Sequence, residues 1–295
     1  MKRTGFIAIV GRPNVGKSSL LNSILGEKVA IVSKKPQTTR NRITGIHTVG
    51  DDQFVFLDTP GMHKPRTRLG DFMVKTTSDT LGGVDSAILV VEAREEVGDI
   101  EKQIISRFKS MDLPAILVIN KIDTVHAANI AKTIAAYADC FDFDAVIPVS
   151  AKSGKGIDIV VSECERYLNE SEWFFSSEIV TDQPEKQVAA EIIREKLLRT
   201  LDEEIPHGTA VTIEEWKEGR DLVSIRAEIY CEKASHKGII IGKHGATIKR
   251  IGSYARADIE QMLDSKVFLD LYVRVKENWR DSNFNISDFG YREEE

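Results

Sequence analysis

Three cysteines in 295 residues, Cys140, Cys164 and Cys231, are odd in number and far apart, and no two form a CxxC pair. A disulfide framework and a zinc site are both excluded on that count. Long hydrophobic runs are missing as well. No stretch approaches the ~18 apolar residues of a membrane span. The short run 6–10 behind Lys2 and Arg3 stops at Gly11-Arg12-Pro13, too early for a signal-peptide core. Nor is there an excess of positive charge. Lys plus Arg is 40 against 46 Asp plus Glu, a net charge of −6. Attraction to nucleic acid or anionic lipid by total charge is thereby excluded, and any such binding needs a local patch. His47, His63, His126 and His207 form no spaced cluster, so no histidine-based metal site is expected. Internal repeats and low-complexity tracts are absent.

What is present is ordinary core-forming material, 42% hydrophobic and 29% charged residues. That composition belongs to a folded, soluble, cytoplasmic chain and to neither a disordered nor a collagen-like one. At ~150 residues per domain the length predicts two domains. Across residues 1–170, short apolar runs at 6–10, 54–57, 87–91, 115–119 and 146–149 alternate with helical patterns at 17–25, 100–109, 130–138 and 157–168. Such runs fit strands buried on both faces, so the expectation is an α/β, doubly wound, mostly parallel sheet. Its ligands should sit at the carboxyl ends of the strands. Residues 171–184 break the pattern and read as a linker in which Trp173-Phe174-Phe175 packs on one of the domains, as an inter-domain contact rather than a binding site. Over 185–280 the predicted order becomes α-β-β-α-α-β, a separate α+β domain. The polar tail 281–295 is expected to be loosely held.

Four pieces of chemistry fall at predicted strand ends. Residues 11–18, Gly11-Arg12-Pro13-Asn14-Val15-Gly16-Lys17-Ser18, fit GxxxxGK[ST] between a strand and a helix. Backbone N–H groups of such a loop face phosphate oxygens and the helix N-terminus adds positive charge, with Ser19 opening the first turn. Lys17 is placed to reach the β- and γ-phosphates and Ser18 to ligate Mg²⁺. Asp58-Thr59-Pro60-Gly61 follows the second predicted strand. Asp58 is expected to hold Mg²⁺ through water, and the Gly61 N–H to meet the γ-phosphate. Alone, that tetrapeptide is a turn signal. Asn120-Lys121-Ile122-Asp123 follows the fourth strand. The Asp123 carboxylate can accept from guanine N1–H and N2–H₂, a donor pair adenine lacks, so it selects GTP over ATP. Asn120 and Lys121 are expected to tie this loop to the phosphate loop. Ser150-Ala151-Lys152 after the next strand can offer a backbone N–H to guanine O6.

In the second domain, Gly242-Lys243-His244-Gly245 lies between two helical patterns. A GxxG loop lets a nucleic-acid backbone come close and clamps about four nucleotides of single strand. Lys233, Lys237, Lys243, Lys249, Arg250 and Arg256 fall in a window, 233–256, without a single Asp or Glu. That patch suffices for salt-dependent anchoring of a single strand. Lys237, Gly238, Ile241, the GKHG residues, Lys249 and Arg250 are the candidate RNA contacts. Residues 239–241 and the strand 222–232 are expected to wall an apolar groove for the bases.

The ordered set GRPNVGKS, DTPG, NKID and SAK resembles the P-loop GTPases over residues 5–168. Within that resemblance Gln37-Thr38-Thr39-Arg40 looks like the first switch, where Thr39, or failing that Thr38, completes the Mg²⁺ shell. Ras-like members carry Gln after the DxxG glycine to orient the attacking water. Here that position is Met62, as in GTPases with a hydrophobic substitution there, and hydrolysis must draw on other positive charge or on ordered water. Asn14 resembles the asparagine that coordinates K⁺ in that group. Lys17, Thr39 and Gly61 are then the catalytic candidates. A GTPase followed by a type II KH domain, with GIIIGKHG and the closing NWRD…FGY, is similar to the Era family of bacterial ribosome-assembly GTPases. That resemblance implies binding near the 3′ end of small-subunit ribosomal RNA, a role in small-subunit assembly, no DNA partner, and peripheral association with the inner membrane. The acidic YREEE end speaks against a purely electrostatic membrane attachment. Related iron-transport GTPases need membrane spans, tRNA-modifying ones a C-terminal Cys motif, and tandem ones a second phosphate loop; none of these is present. The remaining alternative is a constitutive RNA-binding adaptor with a slow, structural GTPase domain.

Overall fold

A computed structural model describes residues 1–292. Its chain divides by contact into two units, the first mainly Met1–Val32, Thr39–Pro65 and Gly70–Asp182, the second Gln183–Glu295 with the short segments Ser33–Thr38 and Arg66–Leu69.

In the first unit the order is β1 (Arg3–Val10), α1 (Lys17–Leu25), β2 (Ile43–Val49), β3 (Asp52–Asp58), α2 (Arg68–Leu81), β4 (Ser86–Glu92), α3 (Asp99–Met111), β5 (Ala115–Asn120), α4 (Ala127–Ala138), β6 (Ala145–Pro148), α5 (Ile157–Cys164) and β7 (Asn169–Glu170). The sheet runs β2-β3-β1-β4-β5-β6, and β7 pairs with β1. β1, β3, β4, β5 and β6 are parallel, while β2 and β7 are antiparallel additions. Each central strand is apolar throughout because both its faces are covered. Ile7 and Ile9 pack towards α1 and α5, Ala8 and Val10 towards α3 and α4.

Besides the two-residue strand β7, two elements of this unit were not anticipated. β2 follows the first-switch residues as an edge strand with a Gly and two Thr in seven residues, which blurs its alternation. α2 sets Thr77 and Thr80 into buried positions where an apolar stripe would be expected. Their hydroxyls are satisfied by the carbonyls of Met73 (3.1 Å) and Thr76 (2.8 Å) one turn back.

The aromatic cluster of the expected linker packs on the first unit. Gln53, fully buried in β3, accepts from the Phe174 and Phe175 N–H groups (3.0 and 3.1 Å) and donates to the Phe175 carbonyl (2.9 Å). Phe174 meets Phe6 edge-on at 5.1 Å and Lys2 lies over the Trp173 ring. A buried amide in a strand needs such partners, and this segment supplies them.

The second unit is α6 (Glu185–Thr200), β8 (Ala210–Glu218), β9 (Leu222–Cys231), α7 (Ala234–Ile241), α8 (Ala246–Leu263), β10 (Lys266–Val275) and α9 (Asn283–Asp288). Its sheet runs β10-β9-β8, with β10 parallel and β8 antiparallel to β9. Ile192, Ile193 and Leu197 of α6, Ile251, Ala255 and Ile259 of α8, and the inward residues of β9 form its core. The tail does not hang loose as expected. Trp279 is fully buried and donates to the Gly208 carbonyl at 2.9 Å, and Phe289 stacks on Tyr230 at 4.4 Å. Tyr291 is buried beside Trp279. Aromatic residues spaced through a polar stretch are enough to seat it. The terminal residues 293–295, on which the expectation against electrostatic membrane attachment partly rests, lie outside the described residues.

Candidate nucleotide site and nucleic-acid interface

The four sequence motifs converge at the carboxyl ends of β1, β3, β5 and β6, as the sheet rule requires. The phosphate loop leaves β1 and enters α1 at Lys17. The Lys17 ammonium is buried, accepted by the carbonyls of Gly11 (3.3 Å) and Arg12 (3.1 Å). Burial pulls its pKa down to about 8 even though Asp58 opposes the shift.

Three oxygens meet beside it. Ser18 donates to Asp58 Oδ2 at 2.6 Å, the Ser18 and Thr39 hydroxyls are 2.8 Å apart, and Thr39 lies 3.5 Å from the same carboxylate oxygen. Asp58 is wholly buried, and desolvation pushes its carboxyl up to about 6 against the pull of Lys17. Its other oxygen, Oδ1, has no hydrogen-bond partner among the described residues. A buried carboxylate with one oxygen unused and two hydroxyls alongside is the donor set a hard divalent cation takes. Mg²⁺ therefore fits these residues. Between the two switch threonines the geometry selects Thr39, since the Thr38 hydroxyl is engaged inside its own loop by Ser33 (2.9 Å) and the Lys35 carbonyl (2.7 Å).

The base-recognition residues form one network. Asn120 donates to the Val15 carbonyl (2.9 Å) and accepts from the Ala151 N–H (3.0 Å), so one side chain joins the phosphate loop to both base loops. Ser150 donates to Asp123 Oδ1 at 2.7 Å, and that bond is the first cause holding the Asp123 carboxyl below its ordinary value. Lys121 donates to the Asn14 carbonyl at 2.6 Å and pairs with Glu92. Glu92, at the carboxyl end of β4, was not among the sequence candidates. Lys152 is exposed at the rim.

Two candidates take other positions than expected. The Thr59 hydroxyl turns into the sheet and donates to the Ile9 carbonyl at 2.9 Å, so only its backbone belongs to the site. The Arg12 side chain points to Glu101 of α3 and away from the phosphate-binding face. Met62 is buried in the core, its N–H donated to the Gly11 carbonyl at 3.1 Å, so it presents nothing to an attacking water. The Pro60 carbonyl accepts from Thr77, and Gly61 packs directly on Pro13, where a Cβ would come within 2.6 Å of the Pro13 nitrogen.

In the second unit the GKHG turn joins α7 to α8 with Gly242, His244 and Gly245 all at positive φ. Lys243, His244 and Lys249 are exposed and Lys237 half-buried. Of the residues expected to wall the apolar groove, Ile240 is a core residue, whereas Ile239 is 51% exposed and Ile241 half-buried. A further groove of about 310 Å³ runs between α8 and the edge strand β10, lined by Ile248, Lys249, Gly252, Arg256, Phe268 and Leu271 among others. Arg250, one residue round the helix, lines a different cavity with Lys196, Arg199 and Tyr254. Phe268, 58% exposed on β10, adds an aromatic surface to this groove.

Comparison with known proteins agrees with this geometry. Residues 6–121 match the family described as 50S ribosome-binding GTPase, and residues 204–280 match the KH domain family. Over 291 residues the chain is 48% identical to the GTPase Era of Ruminiclostridium cellulolyticum, covering 98% of each. It belongs to the Era family of GTPases. Two solved Era structures superpose on it with a TM-score of 0.94 at 38% identity. One is Era in complex with MgGDPNP and nucleotides 1506–1542 of 16S ribosomal RNA, covering 99% of both chains. The other is a point variant of Aquifex aeolicus Era bound to GDP·AlF₄⁻, covering 98% of this chain and 99% of that one. The fold is a P-loop GTPase domain followed by a KH domain, and the Era-family chain is a GTP-hydrolysing enzyme.

Proposed function

We propose that this GTPase is a nucleotide-driven switch that grips the 3′ end of small-subunit ribosomal RNA through its KH domain and assists small-subunit assembly in the cytoplasm. The observation that carries this reading is a GTP-type site and a basic single-strand groove built into one chain. The Era relative in complex with both MgGDPNP and 16S nucleotides supports it. The Gly11–Ser19 backbone and Lys17 take the phosphates, and Asp123, held ionised by Ser150, reads guanine while Asn120 and the SAK loop fix its edge. Ser18, Thr39 and Asp58 would hold Mg²⁺, which when bound neutralises charge on the β- and γ-phosphates. In hydrolysis Lys17 and the Gly61 N–H stabilise negative charge developing on the γ-phosphoryl oxygens, and closure of Thr39 onto Ser18 marks the GTP state. Asn14, exposed at the rim of the loop at φ 66°, offers its side-chain oxygen to K⁺. The KH groove with Lys237, Gly238, Ile241, GKHG and Lys249 holds the RNA, and Arg250 extends the positive surface. The partner is the small ribosomal subunit; peripheral contact with the inner membrane is part of the reading, and DNA is not.

The test is binding of a single strand matching the small-subunit rRNA 3′ end, against a scrambled strand, by protein loaded with GDP or a non-hydrolysable GTP analogue. Tighter binding of the matching strand in one nucleotide state is expected. Equal weak binding of both strands in both states would remove the RNA half of the reading. Hydrolysis is expected to be faster in K⁺ than in Na⁺ at equal ionic strength; equal rates would remove Asn14 from the proposal.

A further inference from the structure

Glu101 stands out as a charge in the wrong place. In α3 it shares a stripe with Ile104, Ile105 and Phe108, at spacings of three, four and seven, and all four are buried. Its side chain is 1% exposed, and among the described residues its cationic partner is Arg12, from the phosphate loop. Its second oxygen, Oε2, has no hydrogen-bond partner among the described residues and lies against Gly98, where a Cβ would be 2.6 Å away. Tyr137 of α4, almost wholly buried, is kept protonated by desolvation and then by the Glu101 charge. A buried carboxylate with a single ionic partner holds that partner firmly, because separating them strands both charges away from water.

What Arg12 does with its backbone gives the pairing a consequence. The Arg12 carbonyl is one of two oxygens that aim the Lys17 ammonium, and the Gly11 carbonyl, the other, also accepts from Met62. Pro13, the next residue, is the surface on which Gly61 packs. The segment 11–13 thus sets the direction of Lys17 and the seat of the DTPG turn together. Its side-chain anchor is Glu101.

We propose that Glu101, through its buried ion pair with Arg12, is a positioning residue for GTP hydrolysis, fixing the phosphate-loop segment that aims Lys17 and seats Gly61. The proposal rests on the assignment of Lys17 to the phosphates made above. A misaimed ammonium loses what the transition state demands more than what ground-state binding demands, so kcat falls and KM moves little.

The full chain carries the test. Glu101→Gln is expected to lower kcat for GTP at least tenfold with KM changed less than threefold. Because a half-broken buried pair also costs stability, the deciding protein is the double variant Arg12→Leu/Glu101→Met. Apolar replacement of both partners keeps the packing and is tolerated by many folds. Its thermal midpoint should stay near the wild type while kcat remains down tenfold. Wild-type kcat in the double variant, or a loss in Glu101→Gln that disappears when rates are divided by the folded fraction, would reduce the pair to a structural contact and overturn the proposal. Lys17→Ala, assayed alongside for nucleotide affinity and rate, reports on the parent reading separately. If it leaves both unchanged, that reading fails whatever the Glu101 variants do.

Discussion

Asp58 and Lys17 face each other in a site built for ligands that carry opposite charges to theirs, and without those ligands each is strained by burial. The Asp58 carboxyl keeps its proton up to about pH 6 against an ordinary 3.8. Between those values the native state binds more protons than the unfolded chain, so the metal-free, nucleotide-free protein loses stability as pH rises from about 4 to about 6. The loss is on the order of 2 kcal/mol. Lys17 acts in the opposite sense. Its ammonium titrates near 8 against 10.5, so the unfolded chain binds more protons in that range and stability rises with pH through it. Urea unfolding across pH in the presence of a chelator should show the lower limb, and Asp58→Asn should abolish it. Parallel curves for the two proteins would mean the carboxyl is already ionised at pH 4. At this scale the sequence was most legible where the chemistry is carried by spacing: Lys17, Ser18, Asp58, Asn120, Asp123 and Ser150 all meet. It was least legible where side-chain direction decides. Nothing in GRPNVGKS says that Arg12 turns back to α3, or in DTPG that Thr59 turns into β1. Glu101 did leave a trace, an acid on an apolar stripe, which is a signal for a buried partner.

At the scale of elements, the GKHG turn shows two glycines needed for different reasons. Gly242 sits at φ 73°, and a Cβ there would be 2.2 Å from Thr247 Oγ1. Gly245, at φ 76°, has open space around the same position. Gly245→Ala meets only the left-handed backbone penalty, about 1 kcal/mol. Gly242→Ala meets that penalty and a clash with the first turn of α8, for a total of about 2–3 kcal/mol. Denaturant midpoints should rank wild type, Gly245→Ala, Gly242→Ala in falling order, and RNA affinity should fall furthest for Gly242→Ala because the turn itself must move. Equal midpoints for the two variants would show that Thr247 gives way freely. The elements that periodicity missed share one cause. β2 and α2 bury Thr and Gly where an apolar residue would have announced them, and α9 is a six-residue helix seated through Phe289 and Tyr291 on either side of Gly290. The groove between α8 and β10 went unseen for a topological reason. β10 is an edge strand because β9 pairs on both sides, with β10 and with β8, a long-range fact that local pattern does not carry.

For the whole molecule, each unit has its own core: the two faces of the large sheet in the first, the helix-covered face of the β10-β9-β8 sheet in the second. Two unfolding transitions are therefore expected in calorimetry. Mg²⁺ with a GTP analogue at a hundred times its Kd stabilises the unit that binds it by about 2.7 kcal/mol. For a domain of this size that raises its midpoint by roughly 5–10 °C. The matching RNA strand should raise the other transition by the same logic, and added salt should erase that shift and leave the nucleotide's in place, because the RNA surface is an exposed cation patch whereas Lys17 and Asp58 of the nucleotide site are buried. A switch demands more than two binding sites on one chain. Linkage requires that if GTP changes RNA affinity, RNA changes GTP affinity by the same factor, with a coupling free energy of about 1–3 kcal/mol in working examples. With both ligands present, the two shifts should exceed the sum of those measured singly. Strictly additive shifts would describe a GTPase and an RNA-binding module that merely share a chain, and the switch reading would then have no energetic basis.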